Sequence, residues 1–112
     1  MGSPAWQPFS VIVSTDGDRA TVALCGELDL SGIDRARQAI EQAESSEHTL
    51  LVLDLSELEF LDSTGLEVML RAARRAEESG RRLIVTRPSN YVRRLLEMTA
   101  IDQSLDVVED VV

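Results

Sequence analysis

Residues 50–55, Leu-Leu-Val-Leu-Asp-Leu, constrain the fold of this chain more than any other part of its sequence. Their apolar side chains form a nearly continuous run and do not alternate with polar ones. Such a run is typical of a strand that is covered on both faces, as in a parallel sheet flanked by helices. The sequence therefore predicts an α/β domain built around this strand.

The N-terminal part of the chain predicts a β-hairpin followed by a helix. Residues 9–14 and 19–26 carry weakly alternating apolar and polar side chains, and the turn signal Asp-Gly-Asp at residues 16–18 lies between them. Apolar side chains then recur at helical spacing over residues 31–45, which predicts an amphipathic first helix.

Two further helices separate the short apolar segments that follow. Helical spacing predicts a second helix over residues 63–79, which Gly80 ends. We expect a buried strand at residues 83–85, a third helix that opens near Pro88, and a last strand at residues 105–108. The predicted fold is a single α/β domain with a mixed, mostly parallel sheet, an N-terminal hairpin and amphipathic helices packed against the sheet.

A chain of 112 residues can bury one hydrophobic core and has no room for a second domain. We expect residues 1–8 to form a tail, whose first three residues are compatible with a cloning remnant, and residues 9–112 to form the domain. The sequence contains no apolar stretch of about 20 residues and no secretory pattern. We therefore expect a cytoplasmic protein without a membrane span.

The rare residues exclude several kinds of chemistry. The chain contains no Lys, one Cys (Cys25) and one His (His48). A Schiff-base lysine, a zinc cluster and an intrachain disulfide are therefore excluded, and we predict neither a metal site nor a cofactor. We expect His48 to be an exposed loop residue and Cys25 to be a small core residue.

The charges are unevenly distributed along the chain. Residues 71–94 contain eight of the eleven Arg and carry a net charge of +6, whereas residues 1–70 carry −10. These Arg side chains fit either an ion-paired, solvated surface or a basic belt that meets an acidic partner. The net charge of −9 disfavours nucleic acid as a partner.

Residues 62–65, Asp-Ser-Thr-Gly, join the apolar strand to the second helix. Ser63 is then at or near the N-terminus of that helix, where its hydroxyl can cap a free backbone N–H. Alternatively, Ser63 accepts a phosphoryl group, which the positive end of the helix dipole tolerates. The added negative charge would then disturb any partner fitted to the neutral serine.

Three segments resemble those of the anti-sigma factor antagonists of the STAS-domain class. Residues 26–29, Gly-Glu-Leu-Asp, are similar to the family's segment after the second strand. Residues 60–66, Phe-Leu-Asp-Ser-Thr-Gly-Leu, preceded by Leu-Asp-Leu at 53–55, are similar to its most characteristic stretch. Residues 92–99 resemble its third helix. The segments occur in the family's order and spacing over nearly the whole chain.

The resemblance implies a bacterial regulatory switch that is not an enzyme. By family position, Ser63 is the residue that a partner anti-sigma factor, an ATP-dependent serine kinase, phosphorylates. The unphosphorylated protein would bind this kinase and free the sigma factor, the phosphorylated form would let go, and a serine phosphatase would restore binding. The residues expected to meet the partner are Glu27, Asp29, Asp62, Ser63, Thr64, Gly65 and Glu67.

The chain departs from the family pattern at two places. Glu67 stands where the family often has Gly, and it can also pair with Arg71 one helical turn later. The C-terminal helix of the family is short or missing, which would leave apolar surface uncovered and favour a homodimer.

Other interpretations remain open at this stage. A STAS domain can serve as a scaffold or accessory subunit of a stress-signalling or transport complex, with Ser63 only a helix cap. An enzyme that uses Ser63 as a nucleophile would need a base, and His48 lies in a separate connection. Glu27 and Asp29 either contact the partner directly or belong to a loop in which Asp29 or Ser31 caps the first helix.

Overall fold

The computed structural model describes residues 8–98 and 105–109. Within them the chain forms five strands and three α-helices in alternating order. A 3-10 turn at Leu30–Gly32 precedes the first helix. In chain order the elements are β1 (Ser10–Asp16), β2 (Arg19–Leu28), α1 (Ile33–Glu44), β3 (Leu50–Leu61), α2 (Ser63–Glu78), β4 (Arg82–Thr86), α3 (Asn90–Met98) and β5 (Asp106–Val108).

The strands form one sheet in the order β1-β2-β3-β4-β5. The hairpin strands β1 and β2 are antiparallel, and the other three pairs are parallel. The hairpin turn contains Gly17 with φ of 60°, a conformation that costs glycine little. The predicted α/β fold with a mixed, mostly parallel sheet and an N-terminal hairpin is confirmed.

Strand β3 is the central and longest strand of the sheet, with 12 residues. Leu51 and Leu53 face the helices, Val52 faces the other side, and all three are at most 2% exposed. The apolar run is therefore buried on both faces, as predicted. Only residues 50–54 pair with β4, and two register shifts against β2 accompany the rest of the strand. The last residues of β3 thus extend beyond the end of β4, and α2 begins at this projecting end.

One core cluster joins the helices to the sheet. Helices α1 and α2 contact each other, and alanine is frequent on their buried faces, which allows a close approach of the helices. Their buried side chains are Ala36, Ala39, Ile40 and Ala43 from α1, and Leu66, Met69, Ala72 and Ala76 from α2. Helix α3 packs on β3 and adds Val92 and Leu96 to the same cluster.

His48 is buried, and the prediction of an exposed loop residue is wrong. Its side chain is 7% exposed, and neither ring nitrogen has a hydrogen-bond partner in the part of the chain that the structure describes. The backbone around it is held in place, because the N–H groups of Thr49 and Leu50 donate to the Asp18 carbonyl at 3.0 and 3.1 Å. The Arg81 guanidinium donates to two carbonyl oxygens of the same connection. A polar sequence therefore forms a packed connection.

Cys25 is half-buried, and the prediction of a core cysteine is wrong. The burial of β2 alternates strictly, and Cys25 lies on the opposite face from the fully buried Leu24. Only the face that carries Leu24 joins the core cluster, so the cysteine is on the less covered side of the sheet.

Several Arg side chains of the basic segment form surface ion pairs. Their shortest N–O distances in the described residues are 3.1 Å for Arg75–Glu44, 2.9 Å for Arg82–Asp106, 2.5 Å for Arg93–Glu109 and 3.8 Å for Arg71–Glu67. Such exposed pairs contribute roughly 0–1 kcal/mol each to stability. For these four residues the ion-paired interpretation is confirmed.

No helix among residues 8–98 and 105–109 is long and apolar enough to cross a membrane. The predictions of an N-terminal tail and of a short or missing C-terminal helix concern residues that lie mostly outside the described ranges.

Candidate functional site

The candidate site lies where β3 ends and α2 begins. Asp62 is the N-cap of α2, and its Oδ1 accepts hydrogen bonds from the backbone N–H groups of Thr64 and Gly65, both at 3.1 Å. The same oxygen accepts from the Thr64 hydroxyl at 2.5 Å. The helix cap is therefore Asp62, and the alternative in which Ser63 caps the helix is wrong.

Ser63 is the first residue of α2, and its side chain is exposed. Within the described residues its hydroxyl has no hydrogen-bond partner, because Asp62 already satisfies the nearby backbone donors. A hydroxyl that the fold does not use is available to a second protein. It also lies at the positive end of the helix dipole, where a negatively charged group is tolerated.

Gly65 holds the start of α2 close to the sheet. A Cβ at this position would lie 2.3 Å from Cδ1 of Leu61 and 3.1 Å from Cδ2 of Leu28. Both leucines are 1% exposed, so neither side chain can move away without disturbing the core. Gly65 is itself buried, and the structure gives it a packing role.

We expect Gly65→Ala to destabilise the protein by about 2 kcal/mol, because the added methyl overlaps a packed core. Urea unfolding followed by circular dichroism measures this loss. Ser63→Ala, on the same turn but exposed, is the matched control and should change the free energy of unfolding by no more than about 0.5 kcal/mol. A Gly65→Ala protein as stable as the wild type would contradict the packing role.

The end of β2 lies beside the end of β3. Leu28 pairs with Leu61 in register, and the Asp62 N–H donates to the Leu28 carbonyl at 3.4 Å. Glu27 is the registered neighbour of Phe60. The predicted site residues of β2 and its following turn are therefore brought to the same edge of the sheet as those of α2.

Asp29 caps the 3-10 turn that precedes α1. Its Oδ1 accepts hydrogen bonds from the Ser31 backbone N–H at 3.0 Å and from the Ser31 hydroxyl at 2.7 Å. These bonds stabilise the carboxylate and lower the pKa of Asp29 below its ordinary value. Asp29 therefore caps this turn and not α1, whose N-cap is Gly32 without a side-chain hydrogen bond, so the prediction of a side-chain cap on the first helix is wrong. Contact of Asp29 with a partner stays a prediction.

Glu67 lies one turn along α2 from Ser63. Its carboxylate is 3.8 Å from the Arg71 guanidinium, and both side chains are about two-thirds exposed. The pair adds little stability, but it leaves a negative group beside the serine. With Glu27, Asp29 and Asp62, it makes this end of the sheet acidic.

His48 cannot serve Ser63 as a base. It precedes β3 and Ser63 follows it, so the 12 residues of the strand separate them. At a rise of about 3.3 Å per residue, the first and last residues of the strand are roughly 36 Å apart. An enzyme that used Ser63 as a nucleophile would therefore have no histidine of this chain near the serine. Among residues 8–98 and 105–109, no three His, Cys, Asp or Glu side chains are grouped so as to hold a metal ion.

An aromatic pair that the sequence patterns do not predict lies near the start of α2. The rings of Phe60 and Tyr91 stack with centroids 5.9 Å apart, and the side chains are 36% and 48% exposed. One signal was present: Leu58 and Leu61 fill the inward positions at the end of β3, which leaves Phe60 outward. The contact with Tyr91 depends on how α3 packs on β3, and no local pattern encodes it.

Comparison with known proteins gives a family match over most of the chain. The family model described as "Mlab, STAS domain" matches residues 11–109. The chain is 30% identical over 96 residues to the anti-sigma-F factor antagonist RsfB of Mycobacterium tuberculosis, covering 86% of this chain and 78% of RsfB. It is 27% identical over 96 residues to an anti-sigma-B factor antagonist of Listeria monocytogenes, covering 86% of this chain and 84% of that protein.

Solved structures with the same fold include an anti-sigma factor antagonist from Mycobacterium paratuberculosis. The TM-score is 0.84 at 23% identity, and the match covers 93% of this chain and 88% of that one. SpoIIAA in its unphosphorylated form matches with a TM-score of 0.73 at 23% identity, over 92% of this chain and 90% of that one. Phosphorylated SpoIIAA of Bacillus gives 0.68 at 22% identity, over 92% and 93%.

Proposed function

This chain belongs to the STAS domain family, and we propose that it is an anti-sigma factor antagonist whose binding is controlled by phosphorylation of Ser63. The observation that carries the proposal is the exposed Ser63 hydroxyl at the start of α2, which takes no part in capping that helix. Curated relatives named as antagonists, and a structural neighbour solved in both phosphorylation states, support it.

The partner in this proposal is an anti-sigma factor with ATP-dependent serine kinase activity. The unphosphorylated chain binds it, and the bound sigma factor is released. The kinase transfers the γ-phosphoryl group of ATP to Oγ of Ser63: the bond from the γ-phosphorus to the β,γ-bridging oxygen breaks, ADP leaves, and the serine hydroxyl loses its proton. A serine phosphatase reverses the modification by hydrolysis. The chain itself acts as a binding protein in the cytoplasm.

The phosphoryl group changes the surface and leaves the fold intact. Asp62 keeps the backbone donors of Thr64 and Gly65, so the helix start does not depend on Ser63. The helix dipole offsets part of the added charge. The added charge, about −1.5 to −2 before this offset, joins an edge that already carries Asp62 and Glu67. A partner surface fitted to a neutral hydroxyl then meets repulsion or loses a hydrogen bond.

The residues proposed to contact the partner lie at the edge of the sheet where β2 ends and α2 begins. Ser63, Asp62, Thr64 and Glu67 contribute from the start of α2, and Glu27 and Asp29 contribute from the end of β2. Gly65 acts through the packing that fixes the position of Ser63 relative to Leu61. In the scaffold alternative the same edge binds a partner, but the modification state of Ser63 does not matter.

A sigma-release experiment tests the proposal. We expect the unphosphorylated protein, added without ATP to a preformed complex of an anti-sigma factor and fluorescently labelled sigma factor, to release the sigma factor. Fluorescence anisotropy follows the release, with phosphorylated protein as the control that should release little. Failure to release sigma factor from any anti-sigma factor kinase of the host would contradict the antagonist function.

A further inference from the structure

Exposed apolar side chains are concentrated near Ser63. The large apolar side chains exposed in the described part of the chain are Ile12, Leu30, Phe60, Tyr91 and Met98. Leu30 follows the end of β2, Phe60 is the last residue but one of β3, and Tyr91 opens α3 after β4. Parallel strands end at one edge of a sheet, so these three mark the edge from which α2 begins.

Phe60 and Tyr91 present their rings as one surface. The ring planes are 19° apart and the centroids are separated by 5.9 Å, an offset-stacked geometry. Each side chain keeps more than a third of its surface exposed, although the rings cover part of each other. A preformed stack has little conformational freedom left to lose on binding, which favours its use as an anchor.

The stack lies a short distance along the chain from Ser63. Three residues of chain span at most about 11 Å, so Phe60 lies within that distance of Ser63. A standard interface buries about 800 Å² per partner, a patch roughly 30 Å across. A partner centred on Ser63 is therefore large enough to reach Phe60 and its stacked neighbour. Aromatic side chains near the centre of an interface carry a large share of binding energy.

The charges around the stack define the complementary surface. Glu27 is the registered neighbour of Phe60, and Asp62 follows it by two residues. The apolar rings are therefore bordered by carboxylates on the side of Ser63. A fitting partner surface has a shallow apolar pocket with basic side chains at its rim.

We infer that the stacked rings of Phe60 and Tyr91 are the apolar anchor by which the anti-sigma factor holds this edge of the protein. This inference rests on the proposed function and adds the residues that supply affinity. The anchor carries no charge, so it acts in both modification states of Ser63. Phosphorylation then weakens only the polar contacts of the interface. The rings contribute to the affinity of both forms for the anti-sigma factor.

Isothermal titration calorimetry of the anti-sigma factor with ring variants tests the anchor. We expect Phe60→Ala and Tyr91→Ala each to weaken binding at least 30-fold. Tyr91→Phe keeps the stacked ring and should stay within about threefold of the wild type. Met98→Ala, at the other end of α3 and 75% exposed, is the matched control with no expected change.

A second measurement separates loss of the anchor from loss of the fold. If α3 stays packed, the ring variants remain substrates of the kinase, with a raised KM and an unchanged kcat at Ser63. Wild-type affinity in both alanine variants, or a fall in kcat without a change in KM, would overturn the anchor and leave the proposed function intact. Absence of binding by the wild type would overturn both.

Discussion

We expect Ser63→Ala to abolish phosphoryl transfer from the proposed anti-sigma factor kinase, and Thr64→Ala to leave transfer intact. The two hydroxyls are adjacent in sequence but differ in environment. Ser63 is exposed, while the Thr64 hydroxyl is partly buried and donates to Asp62 at 2.5 Å. A kinase needs a hydroxyl that it can orient toward the γ-phosphoryl group, and only Ser63 offers one without breaking the helix cap.

Mass spectrometry of the intact proteins after incubation with kinase and ATP decides this prediction. The wild type and Thr64→Ala should each gain one phosphoryl group, and Ser63→Ala none. The Ser63→Ala protein should be as stable as the wild type, because the hydroxyl makes no hydrogen bond to the described residues. Modification of Ser63→Ala to the wild-type extent would contradict the assignment of the acceptor.

We expect Ser63→Asp to lower the affinity of the protein for the proposed anti-sigma factor by about 100-fold, which corresponds to ~2.7 kcal/mol. A permanent carboxylate at this position adds to the charges of Asp62 and Glu67 and replaces a hydroxyl that can donate a hydrogen bond. The helix start tolerates the change, since an acidic residue in the first turn is favoured by the dipole.

Two matched variants separate charge from shape and position. Ser63→Asn has nearly the size of the aspartate without its charge, and it should lose much less affinity. Ser14→Asp adds the same charge on the exposed edge strand β1, toward the opposite end of the sheet, and should bind like the wild type. Equal affinities for Ser63→Asp and the wild type would favour the scaffold alternative.

Most of the fold could be predicted because the chain is locally consistent. The apolar run of β3, the hairpin turn and Gly80, which has φ of 76°, each encode one structure through nearby residues. The start of α2 at Ser63 was predictable for the same reason. The identity of its cap was not, because Asp62 and Ser63 are both good capping residues and only the backbone geometry selects between them.

The features that the sequence did not predict depend on packing between segments that are distant in the chain. His48 lies in a polar stretch, and its burial follows from contacts that tie this stretch to the β1–β2 turn and to Arg81. The alternation of side chains along β2 was predicted, but the sequence does not say which face of the sheet packs against the helices. Cys25 lies on the other face. The stack of Phe60 on Tyr91 joins residues 31 positions apart, and no local pattern records it.

In the proposed function, the modification state of Ser63 controls binding to the anti-sigma factor. The most direct measurement is a calorimetric titration of the anti-sigma factor with the wild-type protein in its unphosphorylated form and after complete phosphorylation. We expect tight binding of the unphosphorylated form and at least 100-fold weaker binding of the phosphorylated form. Equal affinity of the two forms would contradict the proposed function.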